Sequence, residues 1–246
     1  MSQQVKECES SPLRRRVFRV LWRYGYLLVF PLVGVVCVVA IFEERLIFHP
    51  RKYDGSNAWR PSGNDCEDVT FQAADGTRLH AWYFEHPDPQ VHLLYCHGNG
   101  GNITGRLGVA RQLVKRGASV FLFDYRGYGR SEGSPSEQGV LDDARAARSE
   151  LAQRAGIDEA EIVLLGRSLG GGVAVDLAAK EGARGLILES TFTDLPDVAS
   201  VRFPFFPARW LLRTKFDSIG KLPAYEGPLL QYHGSDDRIV PIELGR

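Results

Sequence analysis

The sequence predicts an α/β fold: a mostly parallel sheet with helices on both faces, preceded by one N-terminal transmembrane helix. Three observations predict it. Short apolar runs without helical period alternate with helical segments across residues 66–246, the pattern of a parallel sheet covered on both sides. Every unusual motif falls at the carboxyl end of such a run, where sheets of this kind bind ligands. Ahead of them stands Tyr24–Phe42, YGYLLVFPLVGVVCVVAIF, which carries no charge.

The chain of 246 residues has room for one α/β domain and an appendage. Its formal net charge is zero, so nothing in the charge points to nucleic acid or an anionic surface. The four cysteines, Cys8, Cys37, Cys66 and Cys96, show no zinc-like spacing and read as structural thiols. No metal and no cofactor are expected.

Residues 1–23 form a basic tail with Lys6, Arg14, Arg15, Arg16, Arg19 and Arg23. At the helical rise the uncharged run 24–42 spans ~28 Å, about the thickness of a bilayer core. Trp22, Tyr24 and Tyr26 sit where interfacial aromatics belong. Pro31 and Gly34 are tolerated in a membrane helix. A cleaved signal peptide is disfavoured by the length of the run and by a poor small-residue site at Val38–Ala40. The basic tail outweighs Arg45, Arg51, Lys52 and Arg60 behind the span, which predicts a cytoplasmic amino terminus and a domain on the far side.

Residues 43–65 hold Pro50, Asp54-Gly55, Pro61 and Ser62-Gly63 and read as a linker. From there the elements follow in order. Val69–Ala73 and Arg78–Phe84 flank Asp75-Gly76 as a hairpin. Val91–Cys96 is an apolar strand that runs into His97-Gly98-Asn99-Gly100-Gly101-Asn102, then a helix over Ile103–Arg116. Ser119–Phe123 is a strand ending in Asp124-Tyr125-Arg126-Gly127-Tyr128-Gly129, and Glu137–Ala155 is a helix. Gly185–Glu189 and Pro228–Tyr232 are further strands, the second ending in His233-Gly234-Ser235-Asp236-Asp237.

The stretch Glu161–Gly182 organises the rest. Ile162–Leu165 is a buried strand, and Leu169–Lys180 spaces Val173, Ala174, Leu177 and Ala178 as a helix. Between them Gly166-Arg167-Ser168-Leu169-Gly170 has the form of a nucleophile elbow, in which glycines on either side let a sharp turn thrust the serine out of the sheet. An activated serine needs a base, an acid to orient the base, and donors for the oxyanion. One donor is the backbone N–H of Leu169. The other comes from the loop after the third strand, at Asn99, where glycines permit close approach. The acid follows the nucleophile at the end of a later strand. Asp237 fits, with Asp194 and Asp236 as the alternatives. His97 reads as a loop support rather than as the base.

These four motifs, with Val240-Pro241 behind the last, resemble the α/β-hydrolases over residues 66–246. Within that superfamily they are similar to a membrane-anchored subgroup containing protein depalmitoylases and bacterial serine peptidase-like hydrolases. The resemblance implies serine chemistry, with Ser168 as nucleophile, Asp237 as acid, and Asn99 and Leu169 as oxyanion donors. The resemblance does not specify the substrate; the location beside a membrane span points to a small-molecule or acyl substrate, with the bond type and oligomeric state left open.

The chain departs from the family order of serine, acid, histidine. Its histidines are His49, His80, His86, His92, His97 and His233, all ahead of Asp237. The expectation is a domain missing its last strand and helix, inactive as it stands because the base is absent. Residues 195–227 read as a lid. Phe203, Phe205, Phe206, Trp210, Leu211 and Leu212 within it are expected to be mostly lid packing, with an acyl-binding wall as the other reading. The alternative from a different class is a membrane-tethered binding protein that keeps the fold without turnover.

Overall fold

The computed structural model describes residues 12–55 and 65–245. Lys6 and Cys8 of the basic tail, and residues 56–64 of the linker, lie outside the described residues. Residues up to Glu43 form one compact unit and those from Glu44 a second.

The described part of the first unit is helical. Helix α1 covers Pro12–Ile47 and continues through Pro31. It takes in the second half of the basic tail and the start of the linker, beyond both ends of the uncharged run. Arginine and leucine are good helix formers, so a helix need not stop where its apolar stretch stops. Trp22–Val39 is long and apolar enough to cross a membrane by length and composition. Phe30, Leu32 and Val35 in it are exposed.

The second unit holds the sheet. Strand β1 is His49–Pro50, β2 Glu67–Gln72, β3 Arg78–Phe84, β4 Val91–Cys96 and β5 Gly100–Gly101. A 3-10 turn at Ile103–Arg106 leads into α2, Leu107–Val114, so the single helix expected at 103–116 is shorter and broken. Strand β6 is Ala118–Asp124, α3 Glu137–Ala155, β7 Ile162–Arg167, α4 Leu169–Glu181 and β8 Gly185–Glu189. Short helices α5, Leu195–Arg202, α6, Ala208–Leu211, and α7, Ser218–Lys221, precede β9, Leu229–Tyr232.

Seven strands lie in the order β2-β3-β6-β4-β7-β8-β9. The β2–β3 and β3–β6 pairs are antiparallel; from β6 to β9 every pair is parallel. Period-two alternation sorts the strand residues into two cores. Leu94, Cys96, Phe121 and Leu164 face α3 and α4 with Val140, Leu151, Val173 and Leu177. Leu93, Tyr95, Val120 and Leu122 face the other way, with Ile103 and Ala110. Helix α3 starts where Ser136 caps the Gly139 N–H and stops at Gly156, whose φ of 66° only glycine adopts readily.

The chain leaves β4 toward β6 on one side and returns to β7 on the other. The sheet therefore reverses its winding at β4, the place where open α/β sheets form their ligand crevice. The carboxyl ends of β4 and β7 meet there, with Cys96 opposite Gly166.

Candidate active site

Ser168 sits between β7 and α4 at φ 51°, ψ −121°, a conformation that L-residues avoid. Such strain persists only where the surroundings over-determine it. Here the Ser168 N–H donates to the Glu189 carbonyl (2.9 Å), and its carbonyl accepts from the Gly171 N–H (2.8 Å) and the Thr191 hydroxyl (2.9 Å). The flanking glycines are required by distance. A Cβ on Gly166 would fall 2.4 Å from the Gly170 carbonyl oxygen.

The loop after β4 packs on this turn. A Cβ on Gly98 would lie 3.4 Å from Ser168 Cβ, so the backbone entering Asn99 runs beside the serine. Leu169 opens α4, and the first N–H groups of a helix have no partner within it and face its positive dipole end outward. Ser168 and Asn99 are both partly exposed, while the Leu169 side chain is buried.

His97 is fully buried. One ring nitrogen, Nδ1, lies 2.7 Å from the Gly98 carbonyl oxygen, and Nε2 lies 3.5 Å from Asp124 Oδ1. Its ring packs against Tyr125 and Tyr128, with centroids 4.4 and 5.3 Å away. His97 thus braces the loop.

Arg167, Glu189 and Tyr232 are in register across β7, β8 and β9. Ser168, Ser190 and His233 come one residue later, so the turn that holds Asp237 opens about 10 Å from Ser168, two strand spacings away. Asp237 Oδ1 accepts the N–H groups of Ile239 (2.8 Å) and Val240 (3.0 Å). Its Oδ2 lies 3.8 Å from Nε2 of His233, which donates to the Val240 carbonyl at 2.7 Å. Burial opposes the charge on Asp237. The Val240 and Ile239 N–H groups, His233 and the Ser190 hydroxyl outweigh it and hold the carboxyl below the ordinary range. Asp194 caps α5 through the Asp197 N–H (2.6 Å), and Asp236 is exposed.

Comparison with known proteins decides the family. The family model described as serine aminopeptidase, S33, matches residues 87–220. An uncharacterized protein of Mycobacterium tuberculosis is 40% identical over 217 residues, covering 86% of this chain and 75% of that protein. The chain belongs to the α/β-hydrolase superfamily. The α/β hydrolase domain-containing protein WAV2 of Arabidopsis thaliana is 35% identical over 231 residues, covering 85% of this chain and 74% of its own length. Among solved structures, the Pyrococcus furiosus esterase Pf2001 shares the fold with a TM-score of 0.64 at 19% identity, over 80% of this chain and 81% of that one.

In this α/β-hydrolase, residues 195–227, expected to form a lid, depart from expectation. Of the six large apolar residues read mostly as packing, Leu212 is buried, but Phe203, Phe205 and Trp210 are exposed. The reason is length. With Pro204 and Pro207 between them, α5 and α6 are too short to turn a continuous apolar stripe inward. Phe216, outside that set, is fully buried, and a Cβ on Gly172 of α4 would meet its Cβ at 2.9 Å. The Glu137 carboxylate holds the Lys215 and Phe216 N–H groups at 2.7 and 2.8 Å.

Cys96 is buried below the site, and burial pushes its thiol up to about 12, so it stays protonated and is no rival nucleophile. Sequence reasoning missed Thr191 and Ser190, which support Ser168 and Asp237. Both follow β8 by one or two residues, and that position at a strand end was the available signal.

Proposed function

We propose that this α/β-hydrolase is a membrane-anchored serine hydrolase that cleaves an ester, thioester or amide through an acyl-enzyme on Ser168. The observation that carries the reading is the Ser168 turn, strained at φ 51° and tied on both sides, with Gly98 packed on its Cβ. In this reading Ser168 Oγ bonds to the substrate carbonyl carbon and gives its proton to a base. The backbone N–H groups of Leu169 and Asn99 receive the oxyanion. Collapse expels the alcohol, thiol or amine with a proton, and water then releases the acid from Ser168. Asp237 orients the base. The resemblance to esterases favours short acyl esters as first substrates.

No histidine follows Asp237 in these 246 residues, and the two histidines at the strand ends, His97 and His233, are engaged with backbone carbonyls. A chain of these residues alone is therefore proposed to hydrolyse slowly, at the level that oxyanion stabilisation and binding sustain, about 10³–10⁴-fold over water. The second reading is a tethered binding protein of this fold without turnover; a full-length gene with no histidine after Asp237 would favour it.

The anchor is proposed to be the apolar part of α1, with residues 1–23 cytoplasmic and the domain from residue 66 on the far side. A fluorophosphonate probe on membrane fractions tests the assignment. Labelling that disappears in Ser168→Ala supports it; labelling that survives in Ser168→Ala overturns it.

A further inference from the structure

We propose that Ile47–Tyr53, the segment directly after α1, is a positioning strap for the loop that carries Asn99, and that the Asn99 side chain serves the strap and not the substrate. The proposal rests on the reading of the Asn99 N–H as an oxyanion donor.

An oxyanion hole works only if its donors are held in place before the charge develops. The loop His97–Asn102 has three glycines in six residues and little stiffness of its own. The strap supplies it. His49 and Pro50 pair in parallel with Gly100 and Gly101, and the Arg51 N–H donates to the Gly101 carbonyl at 3.0 Å. Asn99 sits at the centre of this seam. Its Nδ2 donates to the Ile47 carbonyl, and its Oδ1 accepts from the His49 N–H at 3.2 Å and the Tyr128 hydroxyl at 2.9 Å. A side chain with those three partners has its polar atoms turned away from a ligand, which leaves its backbone N–H as the group offered to the site.

The strap is itself fastened at several points. Asn102 Nδ2 donates to the Arg51 carbonyl at 2.9 Å, which also accepts the Gly129 N–H at 3.0 Å, and the Tyr53 N–H donates to the Gly129 carbonyl at 2.9 Å. Phe48 is 2% exposed and meets the ring of Phe216 edge-on at 6.3 Å. Phe216 in turn presses on Gly172 of the elbow helix. The two sides of the site, the Asn99 loop and the Ser168 elbow, are thereby referenced to one segment.

The test uses the full chain with Asn99→Ala, which removes the side-chain bonds and keeps the backbone N–H, and Tyr128→Phe, which removes one bond and keeps the ring. Loss of a complete oxyanion donor costs about 10²–10³ in kcat, so a donor left in place but poorly held should lower kcat by about 10- to 100-fold in Asn99→Ala, with less loss in Tyr128→Phe. KM for p-nitrophenyl butyrate should stay within twofold. Amide hydrogen exchange should accelerate across residues 98–102 in both variants and remain unchanged in α3. A rise in KM at constant kcat would make Asn99 a substrate contact and overturn the proposal. So would unaltered exchange in the loop. If the parent chain shows no Ser168-dependent hydrolysis, the catalytic reading fails, and exchange at residues 98–102 still decides whether the strap holds the loop.

Discussion

Gly170 lies so close to Cys96 that a Cβ built on it would fall 2.0 Å from the Cys96 carbonyl oxygen. The contact joins the first turn of α4 to the end of β4, the two elements that carry Leu169 and the Asn99 loop. Backbone stands on both sides, so neither can yield cheaply. Gly170→Ala should destabilise the domain by about 3 kcal/mol and abolish fluorophosphonate labelling, because the clash is relieved only by moving the elbow. Gly108→Ala is the control. That glycine lies in α2 with nothing within 4 Å of its would-be Cβ, and alanine there should stabilise by up to about 1 kcal/mol. Thermal melts of the two variants in opposite directions would bear this out; equal melts would refute the packing argument.

The strain at Ser168 makes a separate prediction. Holding an L-residue at φ 51°, ψ −121° costs about 1–3 kcal/mol, and glycine escapes it. Ser168→Gly and Ser168→Ala should both lose labelling, since each lacks the hydroxyl. Ser168→Gly should nevertheless be more stable than Ser168→Ala by about 1 kcal/mol in urea unfolding. Equal stabilities would mean the turn relaxes when the side chain goes.

Local signals account for what was legible in the sequence. The strand at Gly185–Glu189 matches its apolar run because burial leaves Gly185–Leu188 without polar interruption. The elbow was legible because its constraint, glycines flanking a sharp turn, lies within five residues. The strap was not. Asn99 and Ile47 are 52 residues apart, and their bond goes to a backbone carbonyl, which no side-chain pattern encodes. The residues around it, with Pro50 and Asp54-Gly55, carry only the general marks of a connection. The aromatics of residues 195–227 depart from expectation for a different reason. They lie close together in sequence, as a packed cluster would, but Pro204 and Pro207 separate helices too short to turn them inward.

Asp237 can be separated from its rivals by isosteric substitution. An asparagine at 237 still offers Oδ1 to the Ile239 and Val240 N–H groups, so the turn should hold. What it loses is the charge that would stabilise a protonated base. In a chain that hydrolyses esters through Ser168, Asp237→Asn should lower kcat by about 100-fold or more, the equivalent change in a serine protease costing about 10⁴. Asp236→Asn, at an exposed position, should leave kcat unchanged. Asp194→Asn keeps an acceptor for the Asp197 N–H and should alter stability by less than about 1 kcal/mol. A large kcat loss at 194 with none at 237 would move the acid to α5.

Asp176 is expected to set the acid limit of stability. Its side chain is fully buried on α4, with Arg145 at 2.7 Å and Lys180 and Lys221 at 2.8 Å each. Burial opposes the charge, yet hydrogen bonds from Lys180 and Lys221 hold the carboxyl below its ordinary value. A depressed acid stays ionised in the folded chain after the unfolded chain has taken up its proton. Its stabilisation is therefore full above the ordinary aspartate range near ~4 and is lost as pH falls through the folded value. Asp176→Asn should cost about 3 kcal/mol at neutral pH, since Lys180 and Lys221 lose their carboxylate while Arg145 keeps Asp142 and Glu181, and should flatten the fall in melting temperature below about pH 4. An unchanged acid limb would show that other carboxylates set it.

The last prediction concerns β9, the final strand of the sheet order. It pairs with β8 on one side, and all four of its residues are exposed. Leu229, Leu230 and Tyr232 are 45, 58 and 47% exposed, which is unusual for apolar residues in a parallel sheet. An apolar edge with open N–H and C=O groups is a template for a second strand from another molecule. A chain of these 246 residues should therefore associate as its concentration rises. Leu230→Lys places a charge on that edge without touching the buried cores or the Ser168 turn. It should delay the onset of light scattering by severalfold in concentration and leave the rate of Ser168 labelling as it was. If the lysine variant associates at the same concentration as the parent, association proceeds through another surface, and the exposed aromatics Phe205 and Trp210 would be the next to substitute.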